Sequence, residues 1–167
     1  VGDLRGLKGQ SYEGGLRVPA IVRHPGKVKP GSTTEFVSGF EDWMPTLMEV
    51  VGADGVAPGV TDGVSLVPSL TGTSQTRDWL YREFQGYGGH QVLWQGKWKA
   101  IRTHLSRKNA AAKQGVQLYD MASDPGETND LAAKHPKIAA AMLTIMRSQH
   151  TVNPRFPIYA LDAEAAK

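Results

Sequence analysis

Lys8 is followed within a few residues by Tyr12-Glu13-Gly14-Gly15-Leu16-Arg17-Val18-Pro19, which sets an ammonium group just ahead of a glycine pair and a short apolar run. An ammonium is a compact positive charge with three donors, suited to the oxygens of a bound anion. The glycine pair predicts backbone angles closed to other residues. Val18, Ala20, Ile21 and Val22 predict a buried strand over 18–23, ended by Pro25-Gly26. Lys8 is therefore expected at the mouth of a sheet. Glu13 and Arg17 flank the glycines and are expected to form structural ion pairs that lock the loop, and Tyr12 is expected to be a packed ring with a bonded hydroxyl.

A second candidate is the loop Glu83-Phe84-Gln85-Gly86-Tyr87-Gly88-Gly89-His90-Gln91, where His90 and Gln91 are candidate substrate-binding residues. The carboxylates Asp120, Asp124, Glu127 and Asp130 miss the spacing of a calcium loop, and Pro125-Gly126 imposes a turn among them. They predict turn and capping roles, with no metal site in this chain. No pair of the five histidines has zinc-site spacing on a helix, and the absence of cysteine removes thiolate ligands and disulfides. Gly86-Tyr87-Gly88-Gly89 lacks the Lys-Ser/Thr ending of a phosphate loop, so nucleotide binding has no support.

These groups need elements to hold them. Phe36 to Phe40 predicts a short extended segment. Asp42 predicts a helix start, with Pro45 in the first turn, Met44, Leu47, Met48 and Val51 at helical spacing and Gly52 as the stop. Residues 53–76 predict a connector with one helical turn at Leu66, Val67 and Leu70. Beyond it, Trp79 to Phe84 predicts a strand, Gln91 to Arg102 a hairpin turning near Gln95-Gly96, and Gln117 to Asp120 a third antiparallel strand. Alternation along the hairpin predicts Trp94 and Trp98 on a core face and Lys97 and Lys99 on the solvent face. The polar stretch from Thr103 to Gly115 predicts a loop, with a possible helical turn from Ala110 to Lys113. Pro136 with Ile138, Met142, Ile145 and Met146 predicts a helix to about His150 that covers the sheet. The residues from Thr151 on predict an extended tail available to a neighbouring molecule.

The chain's 167 residues are 40% hydrophobic and hold 19 basic against 16 acidic side chains, an excess of +3 that is too small to imply nucleic acid binding. No apolar run reaches the roughly 20 residues of a membrane span. The opening Val1-Gly2-Asp3-Leu4 lacks an initiator Met and a secretory signal, as expected of a piece of a longer protein.

The run Lys8-x-x-x-Tyr12-Glu13-Gly14-Gly15-x-Arg17-Val18-Pro19 resembles the sulfatase family, the sulfuric ester hydrolases of the alkaline phosphatase superfamily. So do Asp42-x-x-Pro45-Thr46-Leu47, Asp62-Gly63-x-Ser65-Leu66, Gly96-Lys97-Trp98-Lys99 and Leu118-Tyr119-Asp120 with Asp124-Pro125-Gly126-Glu127 and His135-Pro136. The resemblance implies an α/β fold, α+β within this chain: the last strand and helix of a large domain over residues 1–75, then a small antiparallel sheet packed by a C-terminal helix over 76–167. It maps Lys8 onto a catalytic lysine that contacts the substrate sulfate, and it places the Gly86-Tyr87-Gly88-Gly89 loop toward the active-site mouth. It implies a formylglycine nucleophile and a calcium ion in the intact enzyme, held by motifs that this chain lacks, and a periplasmic or secreted location. The chain alone is then expected to be inactive and, through an exposed strand edge at Val18, able to self-associate. A sulfated small molecule or glycan is the expected partner, with no nucleic acid and no membrane. The alternatives are a non-catalytic module binding a glycan or protein, and a sister hydrolase of phosphate esters.

Overall fold

A computed structural model describes residues 2–53, 61–106 and 115–166. Two compact units emerge: Val1–Val18 with Asp78–Lys167, and Pro19–Arg77. Residues 1–18, grouped by sequence with 19–75, thus fold in space with the sheet.

In the first unit, β1 (Leu80–Phe84), β2 (His90–Gln95), β3 (Trp98–Arg102) and β4 (Gln117–Asp120) form one antiparallel sheet in the order β1-β2-β3-β4. These are the strands expected from the alternating pattern. Cross-strand partners share a face. Tyr81, Leu93, Ala100 and Leu118 line up on one face, and α4 (Pro136–Ser148) covers it with Met142 and Met146, both fully buried. Pro136 opens that helix where a missing N–H costs nothing. The opposite face carries Val92, Trp94, Lys99, Ile101 and Tyr119, and Tyr12 of the Lys8 loop packs on it.

Register corrects the hairpin expectation. A two-residue turn pairs Gln95 with Trp98 and Trp94 with Lys99, so Trp94 and Trp98 lie on opposite faces and Lys99 shares a face with Trp94. Lys99 is fully buried rather than solvated, while Lys97, in the turn, stays half exposed against Asp120.

The expected extended tail folds back instead. After residues 151–158, α5 (Tyr159–Ala165) buries Ile158, Ala160 and Leu161 against Leu105, and the Ala160 N–H donates to the Leu105 carbonyl at 3.0 Å. Arg102 pairs with Glu164 at 2.6 Å, fixing the helix to the end of β3. The polar segment expected as a loop is described only at 103–106 and 115, and its possible helical turn lies outside the described residues.

In the second unit, the 3-10 turn Phe40–Asp42 leads into α2 (Trp43–Val50), and α3 (Val67–Leu70) follows. Asp42 organises it: its carboxylate accepts from the Gly39 and Val64 N–H groups at 2.8 and 2.9 Å and from Arg77 at 2.6 and 3.0 Å. Burial alone would raise this carboxyl's pKa, but the Arg77 bond and the two backbone donors outweigh it and hold it below the ordinary range. The expected strand over 18–23 does not form. Residues 17–24 have no helix or strand, and Val18 and Ile21 are 64% and 94% exposed. A strand needs a backbone ladder on at least one side, and none of the described residues supplies one here. The segment from 36 to 39 is likewise irregular, and Phe40 begins the 3-10 turn.

Candidate functional site

The loop that carries Lys8 is fastened to the sheet face opposite α4. Its one regular piece is α1 (Glu13–Leu16), a single helical turn. Gly14 and Gly15 lie inside that turn, so unusual backbone angles are not what they supply. A Cβ on Gly14 would run into the carbonyls of Arg5 and Gly6, and one on Gly15 into that of Gln10. Close backbone approach explains both glycines. The turn is also tied by Gly14 N–H to Arg5 O at 2.7 Å and Arg17 N–H to Glu13 O at 2.7 Å.

Glu13 enters a buried three-residue charge network. Lys99 Nζ stands 2.7 Å from Glu13 Oε1 and 2.7 Å from Glu127 Oε1. Glu127 Oε2 accepts the backbone N–H of Glu13 at 2.7 Å, and Trp94 Nε1 donates to Glu13 Oε1 at 3.3 Å. Lys99 and Glu127 are fully buried. Burial pushes the Glu127 carboxyl above its ordinary range, and Lys99 opposes that push without cancelling it. Glu127 reaches this place from a left-handed backbone position, φ 53°, at the end of the Asp124-Pro125-Gly126 turn. The other carboxylates of this region act as expected: Asp124 accepts from Thr128 and Asn129, and Asp130 from the N–H groups of Leu118 and Ala132.

Tyr12 is the packed, bonded tyrosine predicted. Its hydroxyl donates to Gln117 Oε1 at 2.9 Å, and the Arg5 guanidinium lies 3.9 Å from its ring centroid. Arg17 is exposed and forms no ion pair among the described residues, so only Glu13 bears out the expected lock.

The structure brings the two candidate loops together. His90 is buried, with Nε2 2.9 Å from the Tyr87 carbonyl and Nδ1 3.1 Å from Ser11 Oγ. A carbonyl only accepts, so Nε2 carries the hydrogen, and in the neutral ring Nδ1 accepts from the Ser11 hydroxyl. Gly9 lies against the Tyr87 ring, which occupies the space a side chain at position 9 would need. Tyr87 itself takes a left-handed φ of 53° and is 67% exposed. Lys8, next to Gly9, is exposed and free of ion pairs among the described residues. The result is an exposed Lys8 ammonium on a braced loop, one residue from Gly9, which packs on the exposed ring of Tyr87, whose backbone carbonyl is bonded by the buried His90. Such a group can receive an anion's oxygens and offset charge that builds on them.

Gln91 sits elsewhere. Alternation sends it to the α4 face, where it is fully buried; its Nε2 donates to the Tyr81 hydroxyl and the Met146 carbonyl at 2.8 Å each, and its Oε1 accepts from Arg102 at 2.9 Å. With its amide engaged in the core, Gln91 serves packing and not the loop surface where the sequence placed it. Local sequence does not mark Ser11, Tyr87, Lys99 or Glu127 as site-forming residues. The hairpin's two-residue turn, which fixes Lys99 opposite Trp94, was the available signal for Lys99. Among the described residues no group of three or more His, Asp or Glu could hold a metal ion.

Residues 8–151 match the family described as N-sulphoglucosamine sulphohydrolase, C-terminal. A sulfatase of Formosa agariphila is 36% identical over 143 residues, 80% of this chain and 26% of the relative. An N-acetylgalactosamine-6-O-sulfatase of Bacteroides thetaiotaomicron is 28% identical over 163 residues, 90% of this chain and 30% of the relative. A protein solved in complex with its substrate D-glucosamine-2-N,6-O-disulfate superposes with a TM-score of 0.62 at 25% identity, over 77% of this chain and 27% of that one. The chain spans about a quarter to a third of the length of the curated relatives it matches.

Proposed function

Since the chain belongs to the sulfatase family as a C-terminal part of that fold, we propose that the protein containing it hydrolyses sulfate monoesters, with Lys8 as a direct contact to the sulfate. The observation that carries this is the exposed Lys8, free of ion pairs among the described residues, on a loop tied down at Leu7, Gln10, Ser11, Tyr12 and Glu13. In sulfate ester cleavage, negative charge grows on the sulfonyl and leaving oxygens as the S–O bond breaks, and a fixed ammonium stabilises that charge more than the ground state. Lys8 lends this charge and holds one sulfate oxygen. Tyr87 and the His90–Ser11 pair shape the neighbouring surface, where the alcohol part of the ester would rest. The sugar sulfates named for two relatives favour a carbohydrate sulfate.

The formylglycine nucleophile and the calcium ion belong to this proposal as parts supplied from outside this chain, as does a periplasmic or secreted location. The chain by itself is then inactive.

The test is hydrolysis of 4-nitrophenyl sulfate and 4-nitrophenyl phosphate by the longer protein and by its Lys8→Ala variant. The expected result is faster turnover of the sulfate ester, with kcat/KM lowered about 100- to 1000-fold by the substitution, the loss typical for a group facing developing charge. Preference for the phosphate ester, or an unchanged rate in the variant, contradicts the proposal. Turnover by the isolated chain contradicts its inactivity.

A further inference from the structure

We propose that Lys99 is the positioning residue for Lys8, holding the loop that carries the sulfate-contacting ammonium in register with the sheet; this rests on the reading of Lys8 given above. Lys99 reaches neither solvent nor the loop surface. Its ammonium instead joins β3, the Glu13 end of α1 and the Asp124-Pro125-Gly126-Glu127 corner, three pieces distant in sequence. Glu127 closes the triangle by accepting the Glu13 N–H, so Glu13 is held through both its side chain and its backbone.

Between this anchor and Lys8 there is little freedom. Tyr12 is bonded to Gln117, Ser11 to His90, and the Gln10 N–H to the Leu7 carbonyl at 2.9 Å, while Gln10 Oε1 accepts the Leu7 N–H at 2.9 Å. Behind the anchor, Gly14 and Gly15 leave no space for the turn to shift toward 4–7 and 10. A displacement at Glu13 is therefore passed along a stiff segment to Lys8.

Simple cohesion would not require charge at this position. The same face holds Val92 and Ile101, and a buried ion pair replaced by apolar residues is often no less stable. What two carboxylates around one ammonium add is direction: Glu13 and Glu127 must both point at Lys99, and this fixes where α1 begins. Misplacing a reacting or charge-stabilising group by about 1 Å costs on the order of 100-fold in rate.

The experiment is a double-mutant cycle in the longer protein, read as kcat/KM for 4-nitrophenyl sulfate per folded molecule. Lys99→Met should lower it about 100-fold in the parent. In the Lys8→Ala background the same change should cost less than about 3-fold, because the group it positions is gone. Glu127→Gln, which keeps the volume and leaves the Lys99–Glu13 pair, should show a smaller loss with the same dependence on Lys8, and it serves where Lys99→Met does not fold. Equal losses in both backgrounds overturn the positioning role while leaving Lys8 as a contact. A Lys8→Ala variant with unchanged turnover removes the function itself, so the two failures are distinguishable.

Discussion

The two units are built on opposite principles. Residues 78–166 with the N-terminal loop bury three apolar clusters, among them Leu93, Met142 and Met146 with no exposed surface. Residues 19–77 bury a single large apolar side chain among those described, Leu66, and expose Ile21, Phe40 and Val51 at 94%, 84% and 72%. Polar bonds hold what order there is: Asp42 with Arg77, Thr46 Oγ1 with the Asp42 carbonyl at 2.5 Å and the Leu66 N–H at 2.8 Å, and Gln75 with Ser65 and Ser69. The first unit has an interior of its own. The second carries apolar side chains that need a covering surface its own described residues do not provide.

This contrast can be broken most directly at Met146. Replacing it with alanine should remove about 2–5 kcal/mol, the usual cost of emptying a closed core site. Amide exchange followed by mass spectrometry in rising urea reads the two units separately, and the loss should appear in the sheet and α4. Asp42→Asn should do less, about 1.5–3 kcal/mol for charge-assisted bonds, and should appear in residues 39–77. A larger effect from Asp42 than from Met146 would reverse the contrast.

A smaller, pH-dependent effect concerns His150, whose Nδ1 and Nε2 lie 2.9 Å from Glu83 Oε2 and Asp162 Oδ1. Burial favours the neutral ring, but bonds to the two carboxylates outweigh it and raise the pKa above the ordinary histidine value of about 6.5. Because the folded value is the higher one, this contribution is complete below about pH 6.5 and is lost as pH rises through the folded value. The melting temperature should fall over that window. His150→Asn should flatten the fall, and an unchanged slope would show that the bridge contributes nothing to the first unit.

The same contrast explains what was legible in the sequence. The strands from Leu80 to Asp120 and α4 announce themselves because their partners lie within the chain, so alternation and the Ile138-Met142-Ile145-Met146 stripe have a surface to match. Val18 to Val22 has a strand's composition, yet composition cannot provide a ladder partner. The α5 helix is not legible because its order depends on Leu105 and Arg102, more than fifty residues earlier, while its two preceding prolines suggest a coil. At the site, the tie at Glu13 is legible from the local sequence. His90 and Gln91 are adjacent in sequence, but strand alternation sends one to the Lys8 loop and the other into the core. Residue type alone puts Lys99 in solvent, whereas register, through its cross-strand partner Trp94, shows which face it shares.

With these ties, the Lys8 loop, though irregular, should be held as firmly as the sheet beneath it. Native-state hydrogen exchange at single-residue resolution tests this through the N–H groups of Glu13, Gly14 and Arg17, each bonded at 2.7 Å. They should exchange with opening energies close to those of β2 and β3, and Lys99→Met should bring them down to those of residues 20–23. Rapid exchange of these three amides in the unsubstituted protein, at the rate of residues 20–23, would contradict it.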